Sequence, residues 1–165
     1  MSRGRDRLLA ATVVALVAAD WLSKIWVTRQ LALGESRSLV EGWLYVVHRR
    51  NPGVAFSIFA DLPEGWRLPI LVGLSLVGVV VFARLVLSSG DMIIRAAATV
   101  VLAGALGNLG DRLLNGSVTD FMLVRYFPFV FNLADAAITV GGILLAVRLV
   151  LMDEALEPSP ATRTP

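Results

Sequence analysis

The sequence predicts an α-helical integral membrane protein: a bundle of four transmembrane helices with a small β-sheet layer and a short interfacial turn or helix at one membrane surface. Three observations predict it. Of 165 residues, 56% are apolar and 17% charged, with a mean hydropathy of +0.73, well beyond what a soluble domain of this size needs. Four apolar stretches approach the roughly 20 residues that cross a bilayer: about Leu8 to Val27, Leu68 to Leu87, Met92 to Leu109 and Phe129 to Leu151. The unusual polar residues gather at one end of these stretches rather than along their length.

Span one follows Arg3, Arg5 and Arg7. Its Val17-Ala18-Ala19 before Asp20 imitates a cleavable signal peptide. However, the apolar pattern runs on through Trp21, Leu22, Ile25, Trp26 and Val27, which favours a retained helix. Asp20 and Lys24 are four apart, so they share a face and partly neutralise each other. The segment from about 29 to 66 reads as an outer layer. Gly34, the alternation from Ser38 to Val47, and the Asn51-Pro52-Gly53 turn before Val54 to Phe59 predict short strands. Asp61 to Trp66 predicts an interfacial turn or short helix. Trp21, Trp26, Trp43 and Trp66 suit the headgroup level. His48, Arg49 and Arg50 read as a solvated loop, with contact to anionic headgroups as the alternative.

Arg84 and Arg95 flank the link between spans two and three, so with the N-terminal arginines they place that face in the cytoplasm. Arg29, Arg37, Arg49, Arg50 and Arg67 weaken the bias, but the first span usually dominates, and four crossings return the C-terminus to the same side. In span three Gly104, Asn108 and Arg112 follow at four-residue steps, beside Gly107 and Asp111, and small residues let helices approach. In span four Asn132 and Asp135 share a side, and Gly141 and Gly142 permit close packing. Residues from about 153 to 165, with Pro158, Pro160 and Pro165, predict a disordered tail.

Asp120 and Asp135 carry the chemical signal. An aspartate at a helix centre in hydrocarbon costs roughly 2.5–3.5 kcal/mol, so it faces a cavity, partner or substrate. By chain topology Asp20, Lys24, Asn51, Asn108, Asp111, Arg112, Asp120, Asn132 and Asp135 all belong to one membrane face. Two carboxylates brought together there share a proton and activate a water. No cysteine is present and His48 is the single histidine, so the sequence offers no thiol chemistry and no His or Cys cluster for a metal. No cofactor is expected. The glycines from Gly104 to Gly110 lie inside a span rather than after a strand, and the pI near 9.7 reflects flanking arginines rather than a nucleic-acid face. The rival readings are a proton or ion pathway, a purely structural bundle, and a serine–lysine peptidase pairing Lys24 with Ser57 or Ser117.

Four blocks together, DWLSK from Asp20, NPGVAFSIF from Asn51, GALGNLGDRLLNGSVTDF ending at Phe121 and FNLADAAITVG ending at Gly141, resemble bacterial lipoprotein signal peptidase, or signal peptidase II. The resemblance spans Asp20 to Gly141 in matching order. It implies an intramembrane aspartyl protease with four transmembrane helices, an extracytoplasmic sheet cradle and a short interfacial helix, with Asp120 and Asp135 as the dyad. It further implies a monomer in the bacterial inner membrane with both termini cytoplasmic. The implied substrate is a diacylglyceryl-modified prolipoprotein cut before its lipidated cysteine, with membrane lipid as the other partner and no nucleic acid. By the same resemblance Asn51, Gly53, Asn108, Arg112 and Asn132 surround the site, and Asp20, Lys24 and Asp111 support it. Pro52, Val54 and Gly110 depart from the usual pattern.

Overall fold

In the computed structural model, which describes residues 3–53 and 63–156, the chain runs α1 (Arg3–Gln30), β1 (Ser36–Val40), β2 (Leu44–Asn51), α2 (Glu64–Ser88), α3 (Met92–Asn115), β3 (Val118–Val124), β4 (Val130–Phe131) and α4 (Leu133–Leu156). All four helices are long and apolar enough to cross a membrane. The central one is α3, with 67% of its apolar window buried against 17% or less in the others. Its inward positions are small, among them Ala97, Ala98, Ala103, Gly104 and Gly107.

These small residues set how closely the neighbours approach. A Cβ at Gly104 would collide with the Ala134 carbonyl oxygen, one at Gly107 would lie 2.6 Å from Asp20 Oδ2, and one at Gly110 would strike the Trp21 indole. Trp21 therefore fills space that Gly110 leaves open, besides standing partly exposed at the helix surface. Gly141 is equally tight, since a Cβ there would lie 2.8 Å from the Ala97 carbonyl oxygen, whereas Gly142 faces open space and takes no part in this packing.

The face away from the aspartates is more structured than flanking arginines suggest. Asp91 caps α3 by accepting from Ile93 N and Ile94 N at 2.8 and 3.0 Å, and it also receives Arg148 Nε at 2.9 Å. Arg95 is buried rather than merely flanking a span: its Nη2 lies 2.6 Å from Asp6 Oδ1 and its Nε donates to the Val86 carbonyl.

The sheet is antiparallel in the order β1-β2-β3-β4. The end of α1 docks on it through a core of Val27, Leu31, Val46 and Phe121. Pairing of β2 with β3 slips between Val46 and Arg49, after which Arg49 faces Asp120 and Asn51 faces Val118. His48, Arg49 and Arg50 are thus strand residues rather than a loop, and His48 is buried with Nδ1 2.9 Å from the Leu31 carbonyl oxygen.

Helix limits differ from the sequence expectation in physically legible ways. Span four does not begin at Phe129, because Val130 and Phe131 pair with Leu123 and Met122 and the helix starts only after Asn132. Helix α3 continues past Leu109 to Asn115, since Asp111 and Arg112 find polar partners there, and Gly116 at φ 68° ends it. Helix α4 extends to Leu156, into the expected tail. The strand expected over Val54 to Phe59 falls outside the described residues, as do Asp61 and Leu62 of the turn expected over Asp61 to Trp66; Pro63 is the N-cap of α2, and Glu64, Gly65 and Trp66 open that helix.

Candidate active site

Helix α4 opens with a reciprocal cap. Asn132 Oδ1 accepts from Asp135 N at 2.9 Å, while Asp135 Oδ2 accepts from Asn132 N at 3.2 Å, which is a capping box with Asn and Asp in its two roles. This fixes the Asp135 carboxylate at the helix N-terminus, where the dipole favours negative charge. Asp120 comes from β3 and is held from two sides, by Asn51 Nδ2 on Oδ2 at 2.9 Å and Asn132 Nδ2 on Oδ1 at 2.7 Å. Asn51 in turn accepts from Gly53 N at 3.1 Å, the turn geometry that the Asn-Pro-Gly sequence favours.

One buried amide joins the two carboxylates to a charge cluster behind them. Asn108 Oδ1 accepts from Lys24 Nζ at 3.1 Å and from Asn132 Nδ2 at 3.2 Å, and its Nδ2 donates to Asp135 Oδ1 at 2.8 Å. Two donors converge on that oxygen, so the amide can stand only one way round, with its NH₂ aimed at Asp135. Lys24 is itself clasped by Asp20 at 2.8 Å and Asp111 at 3.3 Å. Asp20 also accepts from Ala134 N at 3.0 Å, and Asp111 from Thr119 N at 2.8 Å and Asn115 Nδ2 at 2.8 Å. The cluster therefore ties α1 to the start of α4 and the end of α3 to β3. Asp20, Lys24, Asn108, Asp111, Asp120 and Asn132 are all buried, and their polar atoms find partners as buried groups must.

Asp120, Asp135, Asn51, Gly53, Asn108 and Arg112 line one cavity of about 820 Å³, walled on another side by Phe127 to Phe131. Arg112 reaches toward Ser75 on α2, with Nη1 3.4 Å from the hydroxyl. Burial, then the charge of Asp135, push the Asp120 carboxyl up from 3.8 to about 6, against the pull of the Asn51 and Asn132 bonds. A carboxyl so poised exchanges a proton near neutrality, the property general acid–base chemistry requires. Among the described residues no three His or carboxylate side chains converge as metal ligands.

All ten residues singled out from the sequence thus belong to one site, nine of them joined by hydrogen bonds or ion pairs that lead to Asp120 or Asp135. Gly53 acts through Asn51, and Arg112 contacts the cavity without a direct bond to either aspartate. Sequence reasoning missed β3 and β4, the backbone donors Ala134 N and Thr119 N, and the Ser75 contact. The capping box was readable, because Asn and Asp three apart before an apolar run is a helix-start pattern. Lys24 is surrounded by two carboxylates and an amide oxygen, so it has no place for a serine partner; Ser57 lies outside the described residues.

A family model described as signal peptidase (SPase) II matches residues 12–151. The lipoprotein signal peptidase of Syntrophomonas wolfei is 41% identical over 138 residues, covering 84% of this chain and 89% of its own. That of Pseudomonas syringae pv. tomato is 40% identical over 156 residues, covering 88% and 87%. A solved bacterial membrane enzyme superposes with a TM-score of 0.82 over 95% of this chain and 94% of its own, at 23% identity, which speaks for the fold. A second, at 25% identity, gives 0.76 over 89% and 93%.

Proposed function

The chain belongs to the signal peptidase II family, and on that premise we propose that Asp120 and Asp135 form the catalytic pair of an intramembrane aspartic endopeptidase that removes signal peptides from lipoprotein precursors. The observation that carries the assignment is the shared network: two carboxylates from different elements, β3 and α4, are held at one cavity through Asn132, which bonds to both.

The chemistry follows from the geometry. Two carboxylates at one site do not both ionise easily, so the pair holds one proton. Burial and the Asp135 charge raise the Asp120 carboxyl to about 6, and the shared proton belongs to the pair as a whole. The ionised partner takes a proton from a water, which attacks the scissile carbonyl carbon. The protonated partner donates to the carbonyl oxygen, and a proton then passes to the departing amine. Asn108 and Asn132 keep the carboxylates in register, and Arg112 offers donors to substrate carbonyls at the cavity wall.

The substrate is a diacylglyceryl-modified prolipoprotein cut before its lipidated cysteine. Two acyl chains hold such a substrate firmly in the bilayer and present its cleavage site at the interface, where this cavity lies. The enzyme sits in the bacterial inner membrane as a monomer, with both termini cytoplasmic and the cavity at the extracytoplasmic face, in accord with the basic N-terminus and the short link from Arg84 to Arg95. The test is incubation of purified protein in detergent with a diacylglyceryl-modified prolipoprotein, comparing wild type with Asp120→Asn and Asp135→Asn. Wild type releases the signal peptide and both variants fail to; cleavage persisting in both variants overturns the assignment.

A further inference from the structure

The cavity that holds Asp120 and Asp135 has two unlike approaches. Toward the helices, a cleft of about 360 Å³ leads from Asn108, Arg112 and Asp135 between α2, α3 and α4, walled by Leu71, Leu74, Phe82 and Val101. On the sheet side the cavity that holds the same carboxylates is bordered by Arg49 and Arg50. Both arginines are exposed, and among the described residues neither guanidinium makes an ion pair or hydrogen bond. Arg49 stands opposite Asp120 in the ladder, and directly opposed residues send their side chains to the same sheet face. It does not neutralise Asp120, whose two oxygens are taken by Asn51 and Asn132.

We infer that Arg49 and Arg50 read the charge of the polypeptide just after the scissile bond, favouring acidic and disfavouring basic side chains there. This rests on the proposed peptidase function. An apolar signal segment suits the cleft between the helices, so the hydrophilic chain that follows the cut leaves by the sheet side and passes the two arginines. Free cations lining the cavity of the catalytic pair, rather than an outward helix face, point to the substrate rather than to bilayer headgroups. Charge complementarity of this kind acts chiefly on encounter and discrimination.

The test uses the full-length enzyme in a zwitterionic detergent. Three diacylglyceryl-modified prolipoprotein peptides differ only in the three residues after the modified cysteine, all Asp, all Gln or all Lys. Wild type prefers the acidic over the basic peptide by on the order of tenfold in kcat/KM, mostly through KM, as expected of a few partly solvated charge pairs, and added salt shrinks the preference. The ratio falls toward one in the Arg49→Gln, Arg50→Gln double variant and inverts in the Arg49→Glu, Arg50→Glu variant. Each enzyme is scored by its own ratio, so a general loss of activity cancels. A wild-type ratio near one, or a ratio unchanged in both double variants, overturns the inference. So does a rate that follows the anionic lipid content of added vesicles but not peptide charge. Failure of wild type to cleave any of the three peptides would instead remove the peptidase function itself, a result distinct from cleavage without charge preference.

Discussion

Replacing Asp120 by Asn should abolish cleavage and at the same time stabilise the protein above pH 6. The folded state holds the Asp120 carboxyl at about 6 rather than 3.8, through burial first and the Asp135 charge second. That gap corresponds to about 3 kcal/mol of penalty on the ionised form. The group's folded-state value is raised, so the penalty is absent where both folded and unfolded chains are protonated, below about pH 4. It accumulates between about 4 and 6 and is complete above 6. An Asn side chain removes the charge but offers one acceptor where the carboxylate offered two, so either Asn51 or Asn132 loses its partner, at about 1–2 kcal/mol. The variant is therefore more stable by about 1–2 kcal/mol at pH 7.5, or roughly 3–6 °C in Tm, and the gain vanishes or reverses near pH 4. Thermal unfolding of both proteins in the same detergent at pH 7.5 and pH 4 measures this directly. A variant less stable than wild type at pH 7.5, or a difference that does not change with pH, would refute the claim that the site strains the carboxylate.

The remaining predictions concern the site's supports. Because Asp120 titrates at about 6 in the free enzyme, kcat/KM should decline as pH rises through that region and the pair loses its proton; the corresponding limb of kcat should lie at higher pH, since bound lipid excludes water and disfavours the doubly ionised pair, and coincident limbs in the two profiles would contradict this. Lys24→Met leaves Asp20 and Asp111 buried without their shared cation, which should cost about 3–5 kcal/mol in unfolding experiments and lower cleavage further by freeing the Asn108 amide. Gly107→Ala places a methyl 2.6 Å from Asp20 Oδ2 and should lower both Tm and activity, while Gly73→Ala, which meets nothing within 4 Å, should leave both near wild type.

How much of this was legible in the sequence depended on whether the signal was local. Helices were readable because hydrocarbon thickness demands long apolar runs, and the polar residues at their ends stood out against that background. Asp20 with Lys24, and Asn132 with Asp135, were legible as pairs because three- and four-residue spacing puts side chains together on a helix. The pairing of Asn51 with Asp120 was not, because it depends on strand register and a slip between Val46 and Arg49 that no periodicity reveals. Strand β3 escaped notice since it is buried without alternation through Val118, Thr119, Asp120 and Phe121, and a short apolar run of that kind carries no period. The true start of α4 was obscured because Phe129, Val130 and Phe131 are as hydrophobic as the span they precede. Arg95 looked like an ordinary cytoplasmic flank because its partner, Asp6, lies 89 positions away.

The bond from Ala134 N to Asp20 joins the first helix to the start of the last, and the order of synthesis gives that link a temporal meaning. While a ribosome is still producing residues before the fourth helix, the emerging chain has Asp120 but neither Asn132 nor Asp135, and Asp20 lacks the bond from Ala134 N. On the proposed catalytic pair, the site is complete only when the final helix has been delivered to the bilayer and clipped against the first. A peptidase built on the proposed pair would thus not begin cutting before its own assembly is finished.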